Sequence, residues 1–254
     1  MIKFFRKIRQ NLLSEGKTRN YLKYVFGEII LVMVGILLAL QVNNWNESKK
    51  QSKKELSLLL NLKNDINIDI INLKHQDSVF SVFEADAALG IELFYKAKTV
   101  KDINSVINLT KSLWNVLYIN NITYNEMISS GNMYAMKNKD LQKQITTYYL
   151  NVEGDKNYIN EVNNEQAYLY NRMPEFYPFK FLTSQFKNPK IDLNLIDTTW
   201  INNPNSATYL ALENYLNTNQ ETNNVYRRSV YKRNIEYSKK LLANINKELE
   251  IRNK

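Results

Sequence analysis

The sequence predicts an all-α protein: one N-terminal transmembrane helix followed by an extramembrane antiparallel helical bundle. Three observations predict it. A run near the N-terminus, Ile29 to Leu40, contains only apolar residues and Gly. Beyond it, apolar residues recur at helical spacing over long stretches. Only 6 Gly and 4 Pro interrupt 254 residues, and no stretch alternates as a half-buried strand would.

The apolar run extends to Val25–Val42 when its flanks are included, near the roughly 20 residues a helix needs to cross about 30 Å of hydrocarbon. Glu28 and Gln41 stand toward its ends, where a polar group reaches headgroups or water. Tyr24 and Trp45 bracket the span as interface anchors. The transmembrane helix is therefore assigned to 24–45. Two other readings stay open. A cleaved signal peptide would have an h-region of the right length, but Leu38-Ala-Leu-Gln41 is a poor small-x-small cleavage site. A buried core helix fits the shorter apolar core of the run, but not the basic flank or Trp45.

Orientation is set by charge. Lys3, Arg6, Lys7, Arg9, Lys17, Arg19 and Lys23 precede the span, opposed only by Glu15. Lys49, Lys50, Lys53 and Lys54 come after it. The imbalance favours a cytoplasmic N-terminus. Residues 1–23 form a basic amphipathic segment, in which Ile2, Phe4, Phe5, Ile8, Leu12 and Leu13 mix with Lys and Arg. Such a segment either lies along the inner membrane surface or serves only to set topology.

The net charge of +9 raises the question of nucleic acid. Residues 1–24 hold seven basic residues and one acidic, so the remaining chain carries only +3. The basic character belongs to the topology signal, and no nucleic-acid partner is expected. The absence of Cys excludes disulfides, thiolate metal sites and Cys catalysis.

After Trp45 the helix is expected to continue out of the membrane. Leu59, Ile66, Leu73, Phe80, Ala87 and Phe94 recur every seven residues, and Leu62, Ile70 and Ile91 widen the stripe. Asp77 and Glu84 interrupt its second row. The helix is expected to end at Lys98–Lys101, with Asp102 as N-cap of the next one. Ile103–Ile119 reads as a shorter amphipathic helix. Asn121 or Thr123 caps another, which stops at Gly131. Asn138 or Asp140 starts a longer helix running to Tyr170, with Gly154 as a weak point. Met173–Leu182 is not regular helix, because Pro174 and Pro178 remove donors. Lys187–Asn205 is a connector. Ser206 caps one last long helix, from Tyr209 to about Arg252. Residues 46–254 thus read as one helical-bundle domain.

The run Tyr24-Val-Phe-Gly-Glu-Ile-Ile-Leu-Val-Met-Val-Gly-Ile-Leu-Leu-Ala-Leu-Gln-Val-Asn-Asn-Trp-Asn-Glu47 closely resembles the N-terminal signature of an uncharacterised membrane-protein family of Bacteroidota, domain of unknown function 6090. Met1-Ile-Lys-Phe-Phe-Arg-Lys-Ile-Arg9 is similar to its opening. So are Glu126-Met-Ile-Ser-Ser-Gly131, Asn138-Lys-Asp-Leu141 and Tyr148-Tyr149 to later parts of the family. The resemblance implies an envelope protein of a Gram-negative bacterium, and with the charge imbalance around the span the expectation is an inner-membrane anchor with residues 46–254 in the periplasm. It implies no activity.

Candidate sites are few. On a helix turning about 100° per residue, Glu28, Gly35 and Ala39 fall within about 40° of one another. Gly35-Ile-Leu-Leu-Ala39 is a small-xxx-small motif that allows helices to approach closely, and Glu28 could bond across such a pair. The alternative is a Glu reaching back to the interface. Tyr170, Phe176, Tyr177 and Phe179, beside Pro174 and Pro178, either line a groove for a peptide or glycan or pack over the bundle.

His75 is the sole His, without a Ser or metal-ligand partner in any recognisable motif. Ser129-Ser130-Gly131 reads as a helix end, not an active-site loop. No catalytic residue, metal site or cofactor is assigned. The expected partners are membrane lipid, a protein, and a second copy of the chain through the transmembrane helix. The leading expectation is a non-enzymatic, membrane-anchored protein acting by protein or envelope contact. The second is a ligand-binding sensor or regulatory subunit acting through its transmembrane helix. The third is an enzyme with an unrecognised carboxylate site.

Overall fold

The computed structural model of the chain describes residues 18–110, 114–176 and 197–252, with the backbone alone given for 18–22, 24 and 173–176. Among these residues the regular elements are all helical. In chain order they are α1 (Thr18–Phe94), α2 (Val100–Leu109), α3 (Ile122–Ser129), α4 (Asn132–Ala135), α5 (Lys139–Phe176), a 3₁₀ turn (Thr199–Asn202), α6 (Ala207–Glu221), a π-helical segment (Thr222–Arg228) and α7 (Ser229–Arg252). The chain divides into two compact units, Met1–Ser57 and Leu58–Lys254. Of the basic segment 1–23, residues 1–17 lie outside the described residues, and 18–23 already belong to α1.

α1 is 77 residues long. All four Pro come after residue 173, so nothing removes a backbone donor within it. In the first unit its large apolar side chains are exposed on every side, Phe26, Ile29, Leu31, Val34, Leu38 and Val42 among them. It is the one helix among the described residues that is long and apolar enough to cross a membrane, and none of its apolar window is buried. Lys49 stacks its ammonium 5.3 Å from the Trp45 ring centre.

In the second unit the same helix buries a stripe. Leu59, Leu62, Ile66, Leu73, Phe80, Ala87 and Phe94 are all at 2% exposure or less. All but Leu62, which widens the stripe, are the residues that the seven-residue spacing picks out. Each large one adds roughly 1.5–3 kcal/mol by leaving water. Phe80 stacks on Tyr231 of α7, with ring centres 5.6 Å apart.

α1 ends at Phe94, a turn earlier than the sequence suggests, and the N-cap of α2 is Thr99 rather than Asp102. Thr99 Oγ1 accepts from the Asp102 N–H at 3.3 Å, and the Asp102 carboxylate accepts from the Thr99 N–H at 2.9 Å. This is a capping box, with Asp102 at its third position. The bonds from the Lys98 and Thr99 backbones and the Thr99 hydroxyl hold the Asp102 carboxyl below its usual pKa.

α2 stops at Leu109, ten residues short of the expected Ile119. The buried Thr110 hydroxyl turns back to the Val106 carbonyl at 3.1 Å. From 114 to 121 the chain is not helical, because its polar groups find partners on other elements. Asn115 bonds Gln76 of α1, and its carbonyl accepts from Asn163 of α5 at 3.1 Å. The Asn120 N–H donates to Asp69 at 2.9 Å, and its carbonyl accepts from the Tyr149 hydroxyl at 3.2 Å.

This returning segment sets the direction of α5. Moving from Asn115 to Asn120, the partners descend together along α1 (76 to 69) and α5 (163 to 149). α1 and α5 therefore point the same way, and the returning segment between them runs opposite to both. The non-helical return occupies the place a helix would have taken. Between α5 and the last helical run the partners go in opposite order: Asn138 with Glu248, Tyr148 with Ser238, Asn163 with Arg227, Gln166 with Thr222.

α3 starts after Asn121, and Asn120 Oδ1 accepts from the Ile122 N–H at 3.1 Å. Gly131 comes after α3 with φ of 73°, a left-handed conformation that favours glycine. Asn138 Oδ1 accepts from the Leu141 N–H at 3.0 Å and so caps α5. α5 passes through Gly154 unbroken and continues to Phe176, which includes Pro174. A Pro this close to the C-terminus removes one bond where carbonyls are already losing partners. Ser206 Oγ accepts from the Tyr209 N–H at 3.2 Å, as its capping role requires.

Candidate functional site

The first candidate surface is the apolar part of α1. Glu28, Gly35 and Ala39 lie on one stripe of the helix. A Cβ added at Gly35 would meet nothing within 4 Å, so this side is open to another helix. The backbone of Tyr24 is helical, and Trp45 is exposed.

The aromatic cluster resolves differently. Tyr177 and Phe179 lie outside the described residues, as does the Phe176 side chain. Tyr170 meets Trp114 edge-on at 5.8 Å and Tyr215 at 6.5 Å. Trp114 and Tyr215 come from distant parts of the chain, and no local pattern ties them to Tyr170. His75 is exposed on α1. Among the described residues, no group of three or more His, Asp or Glu is placed to hold a metal.

The polar interior is the feature that sequence reasoning missed. One continuous helix is expected from Tyr209 to Arg252, but residues 222–228 are π-helical. A π turn holds an extra residue and rotates the next turn of helix about the axis. Here it directs two successive arginines inward. Arg228 pairs with Asp77 at 3.0 Å and with Glu84, the two acids that interrupt the α1 stripe. Those carboxylates raise the Arg228 pKa, the Asp77 bond most of all. Arg227 is buried at 1% exposure, lies 5.1 Å from the Phe80 ring centre and donates to Asn163 Oδ1 at 2.7 Å. Burial pulls its pKa down and pushes that of Tyr231 up to about 12.

Further along, Gln166 donates to the Thr222 hydroxyl at 2.9 Å, and Asn219 to the Thr110 carbonyl at 3.3 Å. The layer joins α1, α2, α5 and the last helical run. Leaving a buried polar group unbonded is costly, so such a layer favours one register of the helices. A signal for it was legible in Asp77 and Glu84, whose partners were not.

Among the described residues, the second unit carries surface hollows. One, of about 270 Å³ between α5 and α7, is lined by Lys143, Gln144, Tyr148, Tyr237, Lys240 and Asn244 among others. Gln144 and Asn244 bond across it at 2.6 Å. Another, of about 210 Å³, is bordered by Ile119, Asn121, Tyr149 and Lys156.

No curated protein and no solved structure matches the chain. A family model, described as a family of unknown function (DUF6090), matches residues 28–178. The match runs from the apolar part of α1 through the returning segment to just beyond α5, and it covers more than half of the chain. The chain thus belongs to the family of unknown function DUF6090.

Proposed function

We propose that this is a non-enzymatic protein of the inner membrane, anchored by the 24–45 segment and acting by contact with a protein or with envelope components. On this reading residues 46–254 face the periplasm and the N-terminus faces the cytoplasm. The observation that carries the reading is the apolar surface of α1. From Phe26 to Val42 its large apolar side chains are exposed all round, in a helix that then supplies the buried stripe of the second unit. A lipid surrounding removes the cost of that exposure. The excess of Lys and Arg before the span supports the orientation. A second copy of the chain fits the open face at Gly35 and Ala39.

Crosslinking the full chain in intact cells and identifying the captured species tests the contact. Reporter fusions at each terminus test the orientation, and a periplasmic reporter active at the N-terminus would reverse it. The second reading, a ligand-binding regulatory subunit, is favoured by the hollow between α5 and α7. Lys143 and Lys240 flank it with Tyr148 and Tyr237, a lining suited to an anionic ligand. Specific binding of such a ligand by the full chain, lost in Lys143→Ala/Lys240→Ala, would favour it.

A further inference from the structure

Asn120 is bonded at every polar atom. Its N–H donates to Asp69 Oδ1 at 2.9 Å and its side-chain amide to Asp65 Oδ1 at 2.9 Å. Its carbonyl accepts from the Tyr149 hydroxyl, and its Oδ1 from the Ile122 N–H. Asp65 Oδ2 accepts from the Thr123 N–H at 3.3 Å, so both Asp65 oxygens are engaged. Asp69 differs. It is at 0% exposure, and its Oδ2 has no hydrogen-bond partner. It stands one helical turn from Asp65 on the same face of α1. A carboxylate in that place is stripped of water, half-bonded and beside a like charge, and all three conditions favour the neutral acid.

The groups acting on Asp69 come from α1, α5 and the returning segment. α1 supplies Asp65, whose charge opposes ionisation; α5 supplies Lys156, whose charge favours it. α5 also places Tyr148 and Tyr149 within reach of its charge. The returning segment supplies only the Asn120 N–H, which favours the anion. Tyr148 is tied in turn to the Ser238 hydroxyl of α7, 2.9 Å from its Oη. Burial outweighs the rest, and the Asp69 carboxyl is pushed up to about 6.

We propose that Asp69 is a proton-operated latch on residues 114–121: with its proton it keeps Asn120 seated between α1 and α5, and without it the charged, half-bonded carboxylate releases the segment. Release remakes the hollow that Ile119 and Asn121 border with Tyr149 and Lys156, and uncovers the face of α5 beneath it. The sign is fixed by linkage. The folded-state pKa is raised, so the latch is strongest below the ordinary carboxylate range and weakens as pH rises through about 6. A folded value near 6 against an ordinary 3.8 makes opening about tenfold more frequent at pH 8 than at pH 5.

The test is amide hydrogen exchange of the full-length protein in detergent micelles from pH 5 to pH 8, corrected for the intrinsic pH dependence of exchange. The expected result is an about tenfold rise in opening across 114–121 with a midpoint near 6, no such rise in α6, and a flat profile in Asp69→Asn. A flat wild-type profile, or a rise that persists in Asp69→Asn, overturns the proposal. Should that variant fail to fold, the ¹³C carboxyl resonance of Asp69 in the wild-type chain replaces it. Titration near 6 supports the latch, and titration near 4 overturns it.

Discussion

Residues 25–57 and 58–94 share one unbroken helix yet present opposite surfaces. Over the first stretch, apolar residues run round the whole circumference from Ile29 to Leu40, and all the large ones are exposed. Over the second, a stripe of apolar residues is buried by the chain's own α2, 3₁₀ turn, α6 and α7, while Leu60, Ile68, Ile71, Val82 and Leu89 stand exposed off it. The backbone is the same in both. The difference lies in the angular spread of the apolar residues, and that spread decides whether a helix needs a surrounding solvent of hydrocarbon or a partner helix. Between them, residues 46–54 hold four Lys and one Glu, a polar collar that neither lipid nor core would accept.

The contrast can be broken from either side. The largest effect is expected from charging the first stretch. Val32→Arg with Ile36→Arg should disfavour insertion by about 5–7 kcal/mol and move the chain from the membrane pellet to the supernatant after carbonate extraction. The second unit should keep its helical circular dichroism. Retention of the double variant in the pellet would show that another part of the chain anchors the protein. The converse change is Phe80→Ala, which removes the ring stacked on Tyr231 and beneath Arg227. It should cost about 3–5 kcal/mol in denaturant melts of the second unit while leaving membrane retention unchanged.

Smaller effects sharpen how the second stretch is packed. A Cβ at Gly90 would stand 2.6 Å from Thr110 Cγ2. Gly90→Ala should therefore destabilise by about 1–2 kcal/mol despite its better helix propensity. Thr110→Ser, which keeps the hydroxyl and deletes that methyl, should recover most of the loss in a double-mutant cycle. Thr99→Ala, removing the α2 cap, should cost about 1 kcal/mol. Least of all, Glu28→Gln should leave retention unchanged. If the Glu28, Gly35, Ala39 face joins two copies, Gly35→Leu should abolish crosslinking between spans while Glu28→Gln only weakens it.

Much of this was legible in the residues. The spacing of Leu59, Ile66, Leu73, Phe80, Ala87 and Phe94 identifies the buried stripe, because a helical period fixes which side chains share a face. Ser206 and Asn138 announce their helices through side-chain oxygens that accept from the first turn. The returning segment was not legible. Trp114, Leu117 and Ile119 can be read as helical, and only bonds to Gln76, Asp69, Tyr149 and Asn163 hold their backbone otherwise. The π-helical segment was hidden for the same reason, since Arg227 and Arg228 find Asn163, Asp77 and Glu84 only after the helices pack.

By itself the sequence determined the helical class, the apolar rod from Ile29 to Leu40 and the stripe beyond it. Each depends on residues within a few turns of one another, where covalent spacing dictates geometry. The tertiary structure alone decided the direction of α5 relative to α1, the inward turn of the paired arginines and the burial of Asp69. Those depend on partners 50 to 150 residues away, and local spacing carries no record of which distant group will arrive to satisfy a buried polar atom.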